Sequence, residues 1–303
     1  MNESQTQELE QLKRELENFQ DIAKYLVPLP GEIPRLQGID VWGGLLPLNR
    51  SLGGDHLTYV DFKHRFDLKA RIARAREQGR QDLVEALTRC QHRAGIALID
   101  VSGHRMTDAL LAAMLHQAFL LGAIYELDSF GRITRRLFEN LNTRFYQSSG
   151  MHKFVTVIYG EIADDATFRF LSAGAPPPVV FSASHDRFMD VDDVLRLTFP
   201  PLGMLPSFDV IDRSTTTSVL GFKEGYEMNE WTLMGRGDVL LLHTDGLSEH
   251  AGVSGDYFPR RLEGTVRAVK HLTAREIFEA IRQDLLAFGE PTDDVSFVVI
   301  KRK

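Results

Sequence analysis

Short apolar segments that read as strands alternate with helix-forming segments along this 303-residue chain. Residues 38–48, 94–101 and 295–301 are apolar and lie next to turn-forming residues, which is typical of buried strands. Residues 67–92 consist mainly of strong helix formers, interrupted at Gly79, and predict a charged helix or helical pair. Runs of strands separated by a helical pair predict an α+β sandwich of sheets covered by helices, rather than a doubly wound parallel sheet.

Three further helices are expected in the same part of the chain. Residues 107–122 are apolar nearly all round, which predicts a buried helix. Residues 129–147 form a more amphipathic segment, and residues 273–287 place their apolar side chains near one face. The polar residues 163–165 separate two strand-like segments and predict a hairpin loop.

The first 27 residues are expected to form a separate helical segment. Apolar residues over 3–26 are spaced alternately three and four apart, which favours either a coiled-coil seam or an amphipathic helix packed on its own domain. The seam positions are Leu9, Leu12, Leu16, Phe19, Ala23 and Leu26. Three prolines between residues 28 and 34 end this helix. We therefore expect an N-terminal helix over residues 1–27 and one domain over residues 28–303.

Composition excludes several classes of protein. The formal net charge is −7, so the basic stripe of a nucleic-acid binder is not expected. The single cysteine, Cys90, excludes an internal disulfide and a cysteine metal cluster. The acidic, polar N-terminus is not a secretory signal, and no uninterrupted apolar run reaches the ~20 residues of a membrane span. These features predict a cytoplasmic protein without a membrane partner.

Five aspartates lie at the ends of predicted strands: Asp55, Asp100, Asp245, Asp293 and Asp294. Any one of them also fits an ordinary turn, because Asp next to Gly is a common turn signal. Several carboxylates on rigid strand ends can, however, converge at one edge of a sheet. Oxygen ligands without cysteine suit Mg²⁺ or Mn²⁺, and such a site would suit phosphoryl chemistry.

Five segments resemble, in order, the motifs of the SpoIIE-type protein phosphatases, a branch of the metal-dependent PPM phosphatases. They are residues 51–55 (SLGGD), 100–104 (DVSGH), 171–177 (LSAGAPP), 237–249 (GDVLLLHTDGLSE) and 292–296 (TDDVS). Each motif alone is weak, but their order along the chain is specific. The resemblance covers approximately residues 20 to 302.

The resemblance implies a PPM-type β-sandwich of two antiparallel sheets flanked by helices, with two Mn²⁺ or Mg²⁺ ions at one end. The implied metal ligands are Asp55, Asp100, Asp245, Asp293 and the backbone carbonyl of Val101, with Asp294 as a weaker candidate. The implied reaction is hydrolysis of phosphoserine or phosphothreonine by a water that two metal ions activate, without a covalent intermediate.

Three further residues near these motifs have two interpretations each. His104 is either a general acid for the leaving group or a structural histidine. Arg50 is placed where distant relatives carry a phosphate-binding arginine, and it also fits a surface role. Arg105 replaces the small residue usual at its position, and it either binds phosphate or faces solvent.

The chain departs from the family pattern in ways that leave a second function open. Thr58 stands where a second aspartate is usual, and Ala175 replaces the central histidine of the Pro-Pro motif. A helical insertion over about residues 64–93 lengthens a hairpin connection. These changes would suit a pseudophosphatase that sequesters a signalling partner, whereas the retained aspartates favour an enzyme. A third possibility is a hydrolase of small nucleotide phosphates, although the chain contains no Gly-rich nucleotide-binding loop.

The resemblance also implies partners. Family members often act on phosphorylated anti-sigma-factor antagonists in bacterial partner-switching pathways, so the expected substrate is a phosphorylated regulatory protein. Helices at the N-terminus of such domains commonly link a sensor to the phosphatase and pair between subunits. No sensor precedes this helix in the sequence, so we expect residues 1–27 to pair two copies of the chain into a homodimer or to dock on a partner.

Overall fold

The computed structural model describes residues 32–48, 53–102, 106–149, 153–208, 216–232, 234–253 and 255–303, and isolated positions nearer the N-terminus. Side chains of residues 106, 107, 148 and 149 are not among those described. The isolated positions, between Gln7 and Asn18, are helical. The helix over residues 1–27 stays a prediction. The six seam residues and the boundary at residues 27 and 28 lie outside the described residues.

Strands make up most of the two central layers. Their bounds are β1 (Ile39–Leu46), β2 (Asp55–Asp61), β3 (Arg93–Val101), β4 (Val155–Ala163), β5 (Phe168–Ala173), β6 (Val179–Ser182), β7 (Arg187–Phe188), β8 (Thr198–Phe199), β9 (Asn229–Trp231), β10 (Val239–His243), β11 (Ala251–Gly252), β12 (Gly255–Asp256) and β13 (Val295–Arg302).

Helices form the outer layers. Their bounds are α1 (Phe62–Arg65), α2 (Leu68–Glu77), α3 (Gln81–Cys90), α4 (Met106–Phe130), α5 (Arg135–Ser149), α6 (Asp245–Ser248), α7 (Arg260–Val269) and α8 (Ala274–Phe288), with a 3₁₀ turn at Asp193–Leu195.

The strands form two main sheets. One sheet has the order β1-β13-β10-β6-β7, and the other has the order β2-β3-β4-β5-β8, with β9 also paired to β5. Neighbouring strands are antiparallel except for the two-residue pairing of β5 with β8. The predicted α+β sandwich of antiparallel sheets is therefore confirmed.

Among the described residues, three apolar clusters hold the layers together. Leu57, Leu98, Leu240 and Val298 lie in the cluster that fills the space between the two sheets, and each is 1% exposed or less. A second cluster joins the sheet of β2 to α1–α5, and a third joins the sheet of β1 to α7 and α8. Because burial of apolar area is the main favourable term in folding, these clusters fix a helix–sheet–sheet–helix order of layers.

The predicted helical pair between β2 and β3 is present as α2 and α3. Asp67 caps α2 by accepting the backbone N–H of Ala70 at 2.9 Å. Gly79 ends it with φ +68°, a conformation that favours glycine, and the N–H of Arg80 closes the turn on the carbonyl of Ala75 at 2.9 Å. The interruption expected at Gly79 is therefore the turn between the two helices.

The expectation that residues 107–122 form a helix buried all round is wrong. The helix continues to Phe130, and Met114 and Tyr125 are 60% and 65% exposed. One face, which includes Phe119 and Leu127, packs on the sheet, while apolar residues of the opposite face meet solvent. Among the described helices, residues Asp108–Phe130 are long and apolar enough to cross a membrane by length and composition alone, a test that core helices also pass.

Two helices near the C-terminus complete the layer over the sheet of β1. The predicted helix over residues 273–287 is α8, which begins with a capping box between Thr273 and Glu276. Helix α7 was not predicted. Its sequence is polar and contains Gly264, and only Leu262 and Val266 of its side chains are buried, so its apolar pattern is short.

Candidate active site

Asp55 and Asp100 face each other across a β-ladder. Asp55 begins β2, and Asp100 lies next to the end of β3, where the antiparallel register pairs the two residues directly. Directly opposite residues project from the same face of a sheet. The backbone N–H of Val101 continues the ladder by donating to the carbonyl of Gly54 at 3.2 Å. The ladder therefore holds two predicted ligands together at one end of the sheet.

The hydroxyl of Thr244 connects Asp55 to the other sheet. Thr244 follows β10, and its Oγ1 donates to Oδ2 of Asp55 at 2.9 Å. The backbone N–H of Ser296 donates to the same hydroxyl at 3.1 Å. Because Thr244 is only 3% exposed, this contact lies inside the sandwich, directly before Asp245 in the chain.

Asp245 and the pair Asp293-Asp294 come together where β10 and β13 lie side by side. Asp245 is the first residue of the short helix α6, and Gly246 follows it. A Cβ atom on Gly246 would stand 1.9 Å from the carbonyl oxygen of Asp294, far inside van der Waals contact. Glycine is therefore required here by the close approach of two backbones that both carry predicted ligands.

Asp293 and Asp294 have different surroundings. Asp294 is 3% exposed, and its two oxygens accept the backbone N–H groups of Leu48 and Gly54, each at 2.7 Å. Asp293 is exposed, and its Oδ1 accepts the backbone N–H of Asp294 at 2.8 Å. The Asp294 carboxylate thus fastens the chain just before Asp55. The choice of Asp293 over Asp294 as the ligand stays a prediction.

Electrostatic coupling shows that the aspartates share one environment. Burial, followed by the charges of Asp245 and Asp293, raises the pKa of Asp100 to about 7. Burial and then the charge of Asp100 raise the pKa of Asp55 well above its ordinary value. Burial and the charge of Asp293 raise the pKa of Asp245 as well. The protein thus concentrates negative charge at one end of the sandwich, drawn from both sheets.

The donor chemistry of this end fits a hard divalent cation. The groups that meet are carboxylate oxygens with backbone carbonyls nearby, which is the ligand set of Mg²⁺ and Mn²⁺. A cation would offset both causes of the raised pKa values of Asp55 and Asp100, namely burial and the repulsion among the carboxylates. In the part of the chain that the structure describes, no three His, Cys, Asp or Glu side chains already stand close enough to hold an ion.

The two residues predicted to act in catalysis, His104 and Arg50, lie outside the described residues, as does Arg105. His104 follows Ser102 by two residues, so it belongs to the segment that links Asp100 to α4. Arg50 precedes Asp55 by five residues. Their roles stay predictions.

Thr58 and Ala175, where the chain departs from the family pattern, are both buried and hydrogen-bonded. Thr58 Oγ1 lies 2.9 Å from Nδ1 of His116 on α4, and His116 Nδ1 also lies 2.6 Å from Nε2 of His56. The carbonyl of Ala175 accepts the hydroxyl of Ser172 at 3.0 Å. Thr58 therefore joins β2 to α4, a contact between residues 58 positions apart that no sequence pattern signals.

Lys153 is a further residue near the site that the sequence did not single out. Its Nζ lies 2.6 Å from Oδ1 of Asp108, a residue with no exposed surface, and donates to the carbonyl of Ser102 at 2.6 Å. Lys153 thus ties the start of α4 to the segment that follows Asp100. A lysine ahead of a strand carries no signal of this role, because its partners are more than 40 residues away.

Comparison with known proteins identifies the family of this chain. The family described as Stage II sporulation protein E (SpoIIE) matches residues 91–303. Phosphoserine phosphatase RsbP of Bacillus subtilis (strain 168) is 30% identical over 161 residues, which are 52% of this chain and 34% of that protein. The chain thus spans about a third of the length of that relative.

Solved structures share the fold. The SiaA-PP2C domain of Pseudomonas aeruginosa has a TM-score of 0.65 at 15% identity, with 100% of both chains covered. RsbX, solved in complex with magnesium, has a TM-score of 0.53 at 13% identity and covers 89% of this chain and 98% of its own. The family match takes in most of the chain, including Asp100, Asp245 and Asp293. The chain therefore belongs to the SpoIIE family of PP2C-type (PPM) serine/threonine phosphatases.

Proposed function

We propose that this protein is a Mn²⁺- or Mg²⁺-dependent phosphatase that hydrolyses phosphoserine or phosphothreonine on a regulatory protein. The observation that carries the proposal is the electrostatic coupling of Asp55, Asp100, Asp245 and Asp293 at one end of the sandwich, with raised pKa values for three of them. Burial of several mutually repelling carboxylates is expected where they serve cations rather than internal ion pairs.

Asp55, Asp100, Asp245 and Asp293, with the carbonyl of Val101, would hold two ions. When bound, the ions would supply Lewis acidity toward the phosphoryl oxygens and lower the pKa of water. The chain's own residues supply rigidity. The β2–β3 ladder fixes Asp55 against Asp100, and the Thr244 hydroxyl orients the Asp55 carboxylate. Asp294 accepts the backbone N–H of Gly54 and so fixes the chain next to Asp55.

The protein substrate is proposed by class. The relative RsbP is named a phosphoserine phosphatase, and the family resemblance suggests a phosphorylated anti-sigma-factor antagonist. Because the match takes in about a third of RsbP, that substrate class and a cytoplasmic location remain proposals for this chain. Dephosphorylation of a phosphoserine peptide, compared with a phosphotyrosine peptide of the same sequence, tests the class.

The decisive experiment is hydrolysis of p-nitrophenyl phosphate in Mn²⁺, in Mg²⁺ and in chelator, by the protein and by Asp245→Asn. Metal-dependent turnover that the substitution abolishes would support the proposal. The matched control is Asp256→Asn, an exposed aspartate of β12, which should leave turnover unchanged. Absence of turnover in every metal, from protein with a cooperative unfolding transition, would contradict it.

One observation favours a second candidate, a pseudophosphatase that binds a partner. Thr58 stands where the family pattern has an acidic residue, and its hydroxyl is hydrogen-bonded to the imidazole of His116. If the protein binds metal without turnover, Thr58→Asp tests whether the missing acid at this position is the cause of the inactivity. Turnover should appear in that variant only if it is. Restored turnover in that variant would make this chain a binding module derived from a phosphatase.

The N-terminal helix over residues 1–27 is proposed to pair two copies of the chain or to dock on a partner, while residues 28–303 form the phosphatase domain. The alternating apolar spacing of the helix supports this proposal. Deletion of residues 1–26 should halve the mass measured by light scattering. An unchanged mass would contradict the dimer.

A further inference from the structure

Phe154 lies on the same face of its sheet as the carboxylate of Asp100. The hydroxyl of Thr156 on β4 donates to Oδ2 of Asp100 at 3.4 Å, so these two side chains share a face. Phe154 precedes Thr156 by two residues, and its carbonyl extends the β3–β4 ladder by accepting the backbone N–H of Ser102 at 3.2 Å. Because side chains two apart on a strand project from the same face, the ring stands about 7 Å along the strand from Thr156, beside the candidate site.

The ring of Phe154 lies beyond the end of the buried layer between the sheets. Ile158, on the same face of β4, is 1% exposed and packs between the sheets, whereas Phe154 is 40% exposed. Its neighbour Val155 points to the opposite face and is buried under the helices. Much of the ring therefore adds nothing to the core and is available to a ligand.

Met204 brings a second exposed apolar side chain to the same end of the sheet. The N–H of Leu202 donates to the carbonyl of Val155 at 2.8 Å, and the N–H of Val155 donates to the carbonyl of Leu202 at 3.0 Å. Met204 follows two residues later and is 45% exposed. The segment that carries Met204 is therefore held beside the backbone next to Phe154.

Pro177 contributes a third apolar residue. Residues 174–178 cross from β5 in one sheet to β6 in the other, and they begin with a bridge to Val157 of β4. Pro177 is exposed within this crossing. Single apolar residues are common on protein surfaces, but Phe154, Met204 and Pro177 come from three segments that meet at the carboxylate end of the sandwich. These three residues are called the apolar rim below.

The charged residue next to Phe154 is already engaged elsewhere. Lys153 points to the helix side of the sheet, where its Nζ lies 2.6 Å from Oδ1 of Asp108 and donates to the carbonyl of Ser102. The apolar rim itself is uncharged. A charged side chain placed on it would lose hydration without gaining a partner from these residues, whereas an apolar side chain would gain from burial.

We propose that the apolar rim binds an apolar side chain of the protein substrate that lies within two positions of the phosphorylated residue, with Phe154 as the main contact. The inference rests on the proposed function, because the phosphorylated residue must lie at the aspartates to bring its neighbour over the ring. Residues two apart in an extended peptide are separated by about 7 Å, the spacing between Thr156 and Phe154. Aromatic side chains at interfaces supply a large apolar contact area.

Binding of matched peptides to the full chain tests the inference without requiring turnover. The probes are fluorescein-labelled peptides of glycine, serine and alanine with a non-hydrolysable phosphonate analogue of phosphoserine at the centre. Each carries leucine, alanine or glutamate at one of the four positions within two residues of the centre. Fluorescence anisotropy in Mg²⁺ should show at least one leucine peptide binding about tenfold more tightly than its alanine counterpart, as expected for burial of a leucine side chain. Glutamate should bind no more tightly than alanine.

Two variants make the test specific to the ring. Phe154→Ala should reduce the preference for leucine to about twofold or less. Phe130→Ala is the matched control, because Phe130 is also 40% exposed but ends α4, far along that helix from the segment after Asp100. It should keep the preference, and the thermal midpoint of each variant shows that it is folded.

Several results would overturn the inference. They are equal binding of leucine and alanine peptides, a preference that survives Phe154→Ala, a preference lost equally in Phe130→Ala, and no saturable binding of any peptide. A mass by light scattering that falls on Phe154→Ala would assign the apolar rim to a second copy of the chain instead.

Turnover of p-nitrophenyl phosphate, measured in parallel, separates this inference from the proposed function. Absence of turnover together with a leucine preference that Phe154→Ala removes would contradict the enzyme and support the apolar rim as a phosphopeptide contact. Metal-dependent turnover without any leucine preference would support the enzyme and overturn the role of Phe154.

Discussion

Asp294 Oδ2 accepts the backbone N–H of Gly54 at 2.7 Å, a hydrogen bond between residues 240 positions apart. Gly54 directly precedes Asp55, and Asp294 directly follows Asp293. One buried carboxylate therefore fastens two predicted ligand strands from opposite sheets, while its neighbour remains exposed.

This relationship separates the roles of the two adjacent aspartates. Asp294→Ala should lower the free energy of unfolding by about 2–4 kcal/mol, because two buried N–H groups lose their acceptor. Asp293→Ala should cost less than about 1 kcal/mol, since that side chain is exposed, yet it should abolish metal-dependent turnover. Urea unfolding and p-nitrophenyl phosphate hydrolysis measure the two effects. Equal destabilisation by both substitutions would contradict this division.

Gly246 should not tolerate a side chain. Gly246→Ala forces a Cβ atom against the carbonyl oxygen of Asp294 and should cost at least about 2 kcal/mol of stability together with activity. Gly264→Ala is the matched control, because its Cβ would meet no atom within 4 Å and it lies inside α7. That control should gain about 0.5–1 kcal/mol from higher helix propensity. Thermal denaturation of both variants distinguishes close packing from a general effect of alanine.

Stability of the metal-free protein should fall as pH rises. The pKa of Asp100 is raised from 3.8 to about 7, so between these values the folded state holds a proton that the unfolded state has lost. The free energy of unfolding then decreases from about pH 4 to about pH 7, by on the order of a few kcal/mol. Urea unfolding in chelator at pH 5, 6, 7 and 8 measures this slope.

Two comparisons identify the cause of that slope. Asp100→Asn should flatten it in part, leaving the contribution of Asp55, whose pKa is also raised. Saturating Mg²⁺ should restore stability above pH 7, because an ion that binds the folded state takes the place of the proton. A slope that neither Asp100→Asn nor Mg²⁺ changes would place its origin elsewhere.

The contact of Lys153 with Asp108 should be energetically significant. Lys153→Met leaves a fully buried carboxylate without its ammonium partner and should cost about 2–3 kcal/mol, reduced from the value for a fully buried pair because Lys153 is partly exposed. Lys153→Met combined with Asp108→Leu should recover part of that loss. A double-mutant cycle measures the coupling, and additive single effects would show that the pair contributes little.

Elements with a strong local pattern were predictable from sequence. The strand predicted over residues 295–301 and the helix predicted over residues 273–287 were placed to within about two residues, because short apolar runs and amphipathic spacing are local signals. The interruption at Gly79 was likewise readable, since a glycine between two helix-forming segments favours a turn.

Contacts made at long range could not be read from sequence. The bond from Gly54 to Asp294 and that from Thr244 to Asp55 depend on how two sheets are stacked, and no spacing along the chain reports that. Helix α4 was misjudged for a related reason. It is apolar on both faces, so periodicity could not indicate that only one face, which includes Phe119, would find a partner in the core.

The helical insertion is connected to β2 and β3 at the ends of these strands that lie away from the predicted ligands. It joins Asp61 to Arg93, whereas Asp55 and Asp100 lie at the opposite end of the same two strands, with a seven-residue ladder between. Changes in the length or content of the insertion are therefore mechanically insulated from the spacing of the carboxylates. A different helical segment could therefore connect β2 to β3 without changing the arrangement of Asp55 and Asp100 at the opposite end of these strands.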